Sequence, residues 1–155
     1  MRFEILFLGK TKEKYLEVGI ADYVKRLRRY TPTDIKILKE KKAPKGEPEN
    51  SLIEKESEIL LQKAQGAYMI CLDRTGKHLD SLELSAQVER WEMQGLKKIT
   101  FLIGGPLGMS STLLSRADLV LSLSRLTLTH EMTRLLLLEQ LYRACTIKAG
   151  EKYHK

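Results

Sequence analysis

The chain has 155 residues, 43% of them hydrophobic and 30% charged, which suits one globular domain over residues 1–155 rather than two. No apolar stretch reaches the length of a signal peptide's apolar region or of a membrane span, so we expect a cytosolic, non-membrane protein. Lys and Arg number 27 against 20 Asp and Glu, and the net charge of +7 favours a polyanionic partner, RNA being the natural candidate.

The first half of the chain predicts two strands and two helices. An apolar run at residues 2–9 ends in glycine and predicts a buried strand, and an alternating run at residues 34–38 predicts another. Residues 13–29 have helical periodicity, with Leu16, Ile20, Tyr23, Val24 and Leu27 on one face. The charged segment KEKKAPKGEP (residues 39–48) predicts an exposed loop, and residues 52–63 predict a helix.

The second half continues the alternation. AYMICLD (residues 67–73) predicts a buried strand, and the following RTGK (residues 74–77) predicts a turn. Asp80 with Glu83 three residues later predicts the N-cap of a helix that runs through Gln94. The remaining elements are strands at residues 99–103 and 119–123, a short helix between them and a last helix at residues 131–148.

Cysteine and histidine usage indicates no metal site. Cys71 and Cys145 lie in apolar runs without a CxxC motif, so we expect buried, reduced thiols. The three histidines, His78, His130 and His154, lack metal-ligand spacing.

Alternating strands and helices predict an α/β fold with a mostly parallel sheet covered by helices on both faces. Ligands of such sheets bind outside the carboxyl ends of the strands. Three predicted strand ends are notable here: Leu72-Asp73, Gly104-Gly105 and Leu123-Ser124.

The segment FLIGGPLGMSS (residues 101–111) places a glycine-rich turn after a strand. It lacks the lysine and spacing of a P-loop, and its G-G-P-x-G order after a late strand is not a dinucleotide fingerprint. Pro106 also removes an amide that a pyrophosphate would bind. A purely structural turn stays open.

The segment SRLTLTHEM (residues 124–132) links a strand to a long helix without glycine or proline. Its alternating leucines and hydroxyl side chains suit a packed loop, whose backbone groups could bind an uncharged adenine ring that the leucines enclose. The alternative is an extended edge strand.

The combination of IGGPLG, LSLSRLTLTHEMTRLLLLEQLYRA and a terminal YHK resembles the SPOUT-class RNA methyltransferases, and most of all their ribosomal large-subunit methyltransferase H group. The opening FLGKTKEKYLEVGIADYVKRL and the LDRTGK segment match too, so the resemblance covers essentially the whole chain.

The resemblance implies a C-terminal trefoil knot, a homodimer and S-adenosylmethionine as methyl donor. It implies a 23S rRNA substrate, in the large subunit or the ribosome, methylated at N3 of a pseudouridine in helix 69. Donor contacts carried over by motif are Leu72, Gly104, Leu123, Ser124, Arg125, Leu126, Thr127 and Leu128. The family's usual proline before the histidine is replaced by Thr129, so the local backbone geometry there is in question.

Methyl transfer from a sulfonium depends mainly on alignment, assisted by a group that accepts the N3 proton or stabilises the anion. Candidates near the pocket are His130, Arg134 and His154, with Tyr153 as a stacking surface for the base. His130 could instead only cap the last helix, Arg134 could only pair with Glu131 or a phosphate, and the terminus could be frayed.

The last helix is apolar on more than one face, so either a dimer interface or a monomer core must cover it. Two other functions stay open from the residues alone. A non-catalytic ribosome-associated RNA-binding protein explains the charge but leaves the glycine turn unused, and a small nucleotide-using enzyme lacks the phosphate motifs.

Overall fold

The computed structural model describes residues 1–42 and 44–155, which form one five-stranded parallel sheet with helices on both faces. The predicted α/β class is therefore confirmed. The elements in chain order are β1 (Arg2–Leu8), α1 (Lys14–Leu27), β2 (Thr33–Leu38), α2 (Glu49–Ala64), β3 (Tyr68–His78), α3 (Ser81–Met93), β4 (Lys98–Ile103), α4 (Ser111–Arg116), β5 (Leu119–Ser122) and α5 (His130–Lys148).

The sheet order is β2-β1-β4-β3-β5, so the last three strands form one side of the sheet. Side chains alternate between the two faces of β1, as the period of an extended strand requires. Phe3, Ile5 and Phe7 pack in a core with α1, α3 and α5, whereas Leu6 and Leu8 pack in a second core with α2 and α4.

Local signals in the sequence explain several boundaries. Asp80 and Glu83 form a reciprocal capping box at the start of α3, as predicted. The predicted face of α1 is buried through Leu16, Ile20, Val24 and Leu27. Both cysteines are buried and free, which confirms that prediction.

The prediction of a turn at RTGK is wrong, because β3 continues through these residues to His78. The pairing of β3 with β5 shifts register between Leu72 and Lys77, so the segment bulges out without ending the strand. Gly76 crosses the backbone of β5 so closely that a Cβ there would lie 2.6 Å from the carbonyl carbon of Val120. Glycine at this position therefore serves strand packing.

The charged segment between β2 and α2 is mainly exposed over residues 39–42 and 44–48, as predicted; Ala43, which the prediction included, lies outside the described residues. The predicted helix at residues 52–63 begins earlier, at Glu49. No helix within the described ranges is long and apolar enough to cross a membrane.

Candidate functional site

A cavity of about 860 Å³ opens at the carboxyl edge of the sheet. Its wall is built from the irregular part of β3, from the segments that follow β4 and β5, and from the first turns of α1 and α5. The three positions singled out in the sequence thus meet at one site, although the first of them lies inside β3 and not at its end. A cavity of this volume accommodates a nucleoside-sized ligand.

The glycine turn, residues 104–108, forms one side of the cavity. It is closed by a 3.0 Å hydrogen bond that the Gly108 N–H donates to the carbonyl of Gly105, with Pro106 at the second position of the turn. Gly108 has a φ of +86°, which favours glycine. A Cβ on Gly104 would lie 2.8 Å from Met109 Cγ and 2.9 Å from the Gly108 carbonyl oxygen, so the fold needs bare backbone there.

The leucine loop, residues 123–128, also lines the cavity, through all of its residues except Arg125. Ser122 Oγ donates to the Ser124 carbonyl at 2.9 Å, and Ser124 Oγ accepts from the Leu126 N–H at 3.0 Å. These bonds hold the loop without a regular element. The Leu126 side chain is 74% exposed at the cavity, which gives the site an apolar rim.

Thr129 ends this loop and caps α5. Its φ of −63° and ψ of 150° lie in the extended region that proline also adopts. Its Oγ1 accepts from the Met132 N–H at 3.1 Å, so the threonine adds a side-chain cap that proline could not provide.

His130 is the first residue of α5, and it lies on the cavity wall. Partial burial lowers the pKa of its imidazole below the ordinary 6.5, and the positive charge of Arg134 adds to this, against opposing effects of Glu131 and Glu40. The imidazole is therefore neutral at pH 7 and has a lone pair available.

Glu131 connects the two helix N-termini at the cavity. Its Oε1 accepts from the backbone N–H of Lys12 and, at 3.3 Å, from that of Glu13. These N–H groups precede the first residue of α1, where the helix leaves donors unsatisfied. The contact brings Glu13 and Tyr15 to the wall.

Arg134 does not reach the cavity wall, because its side chain is fully buried beneath it. The guanidinium donates to the Leu8 carbonyl at 2.7 Å and to Thr11 Oγ1 at 3.0 Å, and it lies 4.4 Å from the centre of the Phe7 ring. It fixes the start of α5 to the end of β1, and so supports His130 from below.

The tail, residues 151–155, does not line the cavity of its own chain. Tyr153 packs against Tyr142, with ring centroids 4.8 Å apart, and its hydroxyl lies 3.1 Å from Glu139 Oε1. The tail is therefore docked on α5. The buried Nδ1 of His154 has no hydrogen-bond partner among the described residues of this chain.

Most of the donor contacts expected from the resemblance lie on the wall: Leu72, Gly104, Leu123, Ser124, Leu126, Thr127 and Leu128. Arg125 is exposed and lies off the wall. Asp73, at a position that the sequence singled out, also lines the cavity, as do Glu13, Tyr15 and Arg74, which were not predicted. No signal in the sequence marks Glu13 and Tyr15, and the incorrect turn assignment concealed Arg74.

No group of three or more His, Cys, Asp or Glu side chains that could hold a metal ion occurs in residues 1–42 and 44–155.

Comparisons with known proteins point in one direction. A family model described as "Predicted SPOUT methyltransferase" matches residues 1–154. The chain is 51% identical to a protein named Ribosomal RNA large subunit methyltransferase H from Desulfotalea psychrophila and 46% identical to one of that name from Syntrophobacter fumaroxidans, over 100% of both chains in each case. A Streptococcus pneumoniae protein of that name is 43% identical, also over 100% of both chains.

Two solved structures share the fold at low identity. A probable methylase family protein from Haemophilus influenzae matches with a TM-score of 0.54 and 13% identity, over 99% of this chain and 70% of that one. A probable methyltransferase from Bordetella pertussis matches with a TM-score of 0.57 and 12% identity, over 93% of this chain and 96% of that one.

Proposed function

This chain belongs to the SPOUT methyltransferase family, and we propose that it transfers a methyl group from S-adenosylmethionine to 23S rRNA of the large ribosomal subunit. The proposed acceptor is N3 of a pseudouridine in helix 69. The observation that carries the proposal is the cavity, whose walls are the glycine turn and the leucine loop, in a chain with full-length relatives named for large-subunit rRNA methylation.

The wall suits an adenosyl group. Met109 and the Gly108 carbonyl fill the space that a Cβ on Gly104 would take, and the turn lines the cavity with residues 104–108. Leucines of the loop supply apolar surface, and carboxylates at Glu13 and Asp73 suit the positive charge of a sulfonium. When bound, S-adenosylmethionine supplies an electrophilic methyl carbon, and the sulfur keeps the electron pair of the bond that breaks.

The side chains of the site then have separate tasks. Leu72, Gly104 and the leucine loop bind and orient the donor. The N3 proton of the acceptor must leave as the N–C bond forms, and the neutral imidazole of His130 lies on the wall to accept it. His154 is the second imidazole that we propose as an acceptor of this proton. Arg134 has a positioning role at the start of α5.

The distance along α5 argues that the tail serves a different cavity. Nine residues separate His130 from Glu139, which bonds Tyr153, and a helical rise of 1.5 Å per residue makes this roughly 14 Å. The tail is thus too far along the helix to reach its own cavity while it stays docked. We propose a homodimer in which Tyr153 and His154 complete the cavity of the partner subunit.

Exposed apolar side chains near the cavity support such an interface. Tyr15 is 65% exposed and Val18 59% exposed on α1, and Leu126 lies on the cavity rim. Apolar surface of this kind is typical of association sites. A trefoil knot is part of the same proposal. The two segments that would interlock in it, the glycine turn and the leucine loop, both line this cavity.

The proposal is tested by transfer of tritiated methyl groups from S-adenosylmethionine to large subunits and ribosomes that lack the modification. We expect label in 23S rRNA, mapped by mass spectrometry to a pseudouridine base, and none in ribosomes whose uridine has not been isomerised. Absence of transfer, together with no binding of S-adenosylmethionine at millimolar concentration in calorimetry, would instead identify a non-catalytic RNA-binding protein.

A further inference from the structure

The charged segment between β2 and α2 has no role in the cavity described above. We call residues 39–42 and 44–48 the lysine loop. It follows the carboxyl end of β2, so it lies at the same edge of the sheet as the cavity. Two strand spacings separate β2 from β4, which amounts to about 10 Å.

Of the two acidic residues of the lysine loop, one lies against the backbone of Gly9 and the other is bonded to α2. Glu40 is half-buried, and its Oε2 lies 3.0 Å from where a Cβ on Gly9 would be. Glu47 accepts from Ser51 Oγ at 2.6 Å and pairs with Lys55. Glu47 is thus paired outside the loop, which leaves the single carboxylate of Glu40 against four lysines.

The four lysines of the loop face solvent. Lys39, Lys41, Lys42 and Lys45 are all exposed, and no ion pair to any of them occurs among the described residues. Residues 39–42 also line a depression of about 430 Å³. The loop therefore presents concentrated positive charge in a concave surface.

A buried carboxylate ties this loop to the glycine turn. Glu56 of α2 is only 3% exposed, and the backbone N–H of Lys41 lies near enough to its carboxyl to favour the ionised form. Its Oε2 lies 3.0 Å from where a Cβ on Gly105 would be. The neighbouring Ser57 Oγ accepts from the N–H of Ser110, the N-cap of α4, at 2.8 Å, so consecutive residues of α2 contact the glycine turn and the segment that follows it.

Burial raises the pKa of the Glu56 carboxyl, and the nearby Glu40 adds to this, while the hydrogen bond from Lys41 lowers it. A carboxylate in such surroundings is unfavourable unless it is paired, and the Lys41 N–H supplies a partner from the lysine loop.

We propose that the lysine loop is a docking surface for rRNA phosphates next to the target nucleotide, and that Glu56 fixes its position relative to the glycine turn. The inference rests on the proposed function, because it takes the nucleotide in the cavity as its reference point. Lysine ammonium groups bind phosphates as point charges, and they supply position and affinity without reading sequence.

The test compares two variants that remove equal charge. Lys42→Gln/Lys45→Gln removes two of the four positive charges of the loop, and Lys63→Gln/Lys97→Gln removes two exposed lysines at the opposite edge, in the last turn of α2 and just before the start of β4. Binding of each protein to unmethylated large subunits is measured by filter binding at several salt concentrations and fixed magnesium.

We expect the loop variant to bind about 10-fold more weakly at low salt. Its plot of log affinity against log salt should also be less steep, by about 1 to 2, because each lost phosphate contact makes the slope shallower by nearly one. The control variant should keep the slope of the unmodified protein. Equal affinity and slope for the two variants would overturn the inference. Failure of the proposed function is a separate result, because the unmodified protein would then bind large subunits without methylating them.

Substitution of Glu56 tests the anchor. Glu56→Ala makes the protein more positive, so simple electrostatics predicts tighter RNA binding. Release of the loop predicts the opposite, a loss of several-fold, with Glu56→Gln close to unmodified because its carbonyl still accepts from Lys41. Thermal unfolding confirms that each variant is folded. Tighter or unchanged binding by folded Glu56→Ala would overturn the role of Glu56.

Discussion

Tyr153 packs its ring edge-on against Tyr142, with the centroids 4.8 Å apart and the ring planes at 69°. Its hydroxyl also lies 3.2 Å from that of Tyr23 and donates to Glu139 at 3.1 Å. Burial raises the pKa of the phenol, and its bond with Tyr23 adds to this, so the group stays protonated and can donate. The tail is thus fixed to α5 and α1.

This contact predicts a graded response at position 153. Tyr153→Phe keeps the ring against Tyr142 and should retain methyl transfer within a few-fold. Tyr153→Ala removes the ring, frees the tail and should lower kcat by more than 10-fold, while binding of S-adenosylmethionine in calorimetry stays unchanged. Full kcat in Tyr153→Ala would show that docking of the tail is irrelevant to catalysis.

Gly104→Ala should damage donor binding. The added Cβ would meet Met109 Cγ at 2.8 Å and the Gly108 carbonyl at 2.9 Å, so the glycine turn must shift. We expect affinity for S-adenosylmethionine, measured by calorimetry, to fall at least 10-fold, or by about 1.4 kcal/mol.

Gly66→Ala is the matched control for this change. Gly66 has a φ of +74° and no atom within 4 Å of its added Cβ, at the far edge of the sheet. It should lose about 1 kcal/mol of unfolding free energy and no donor affinity. Equal donor affinity in the two variants would mean that the glycine turn does not contact the donor.

Titration of His130 should make the rate of methyl transfer depend on pH in the acid range. Its pKa lies below 6.5 in the folded protein, so the rate should be constant near neutrality and fall as the pH drops through that lower value. His130→Gln should lower kcat by about 10²-fold or more and abolish this acid limb. His78→Gln, a change at an exposed histidine, should retain it.

The same shift has a consequence for stability. Folding favours the neutral form of His130, so the imidazole contributes fully to the free energy of unfolding above pH 6.5. This contribution is lost as the pH falls through the lower pKa that the imidazole has in the folded protein. Urea unfolding from pH 7 to 5 should therefore show a smaller loss of free energy in His130→Gln than in the unmodified protein. An identical loss in both proteins would contradict the direction assigned to this pKa.

Thr129 should tolerate proline. Its φ of −63° suits the proline ring, and the fixed φ offsets the loss of the hydroxyl bond to Met132. We expect Thr129→Pro to stay within about 1 kcal/mol of the unmodified protein in urea unfolding, and Thr129→Ala to lose about 1 kcal/mol through the missing cap. Destabilisation of Thr129→Pro by several kcal/mol would show that the backbone here is not proline-like.

The sequence predicted the elements whose pattern is local. The periodicity of α1 and the capping box at Asp80 each identify an element without knowledge of its neighbours. The extension of β3 was not predictable, because the segment RTGK has the composition of a turn. Its Gly76 is instead needed for close contact with Val120, which is distant in sequence. Local patterns do not encode such contacts.

The site was predicted to a similar extent. Gly104 and His130 follow from strand ends and helix starts, which local sequence indicates. Glu13 and Tyr15 lie on the wall where Glu131 accepts hydrogen bonds from the backbone before α1, and 119 residues of sequence separate Glu131 from Lys12. The fully buried position of Arg134 likewise depends on the Leu8 carbonyl, a partner that no motif specifies.

The most direct test of a site shared between two subunits is methyl transfer by mixed dimers. One chain carries Gly104→Val, which disables its cavity, and the other lacks residues 153–155, which removes its tail. Each protein alone should be inactive. After unfolding and refolding together, random pairing should restore about a quarter of the unmodified activity, because half of the dimers contain one intact cavity facing one intact tail. No recovery, in mixtures shown by light scattering to be dimeric, would contradict the shared site.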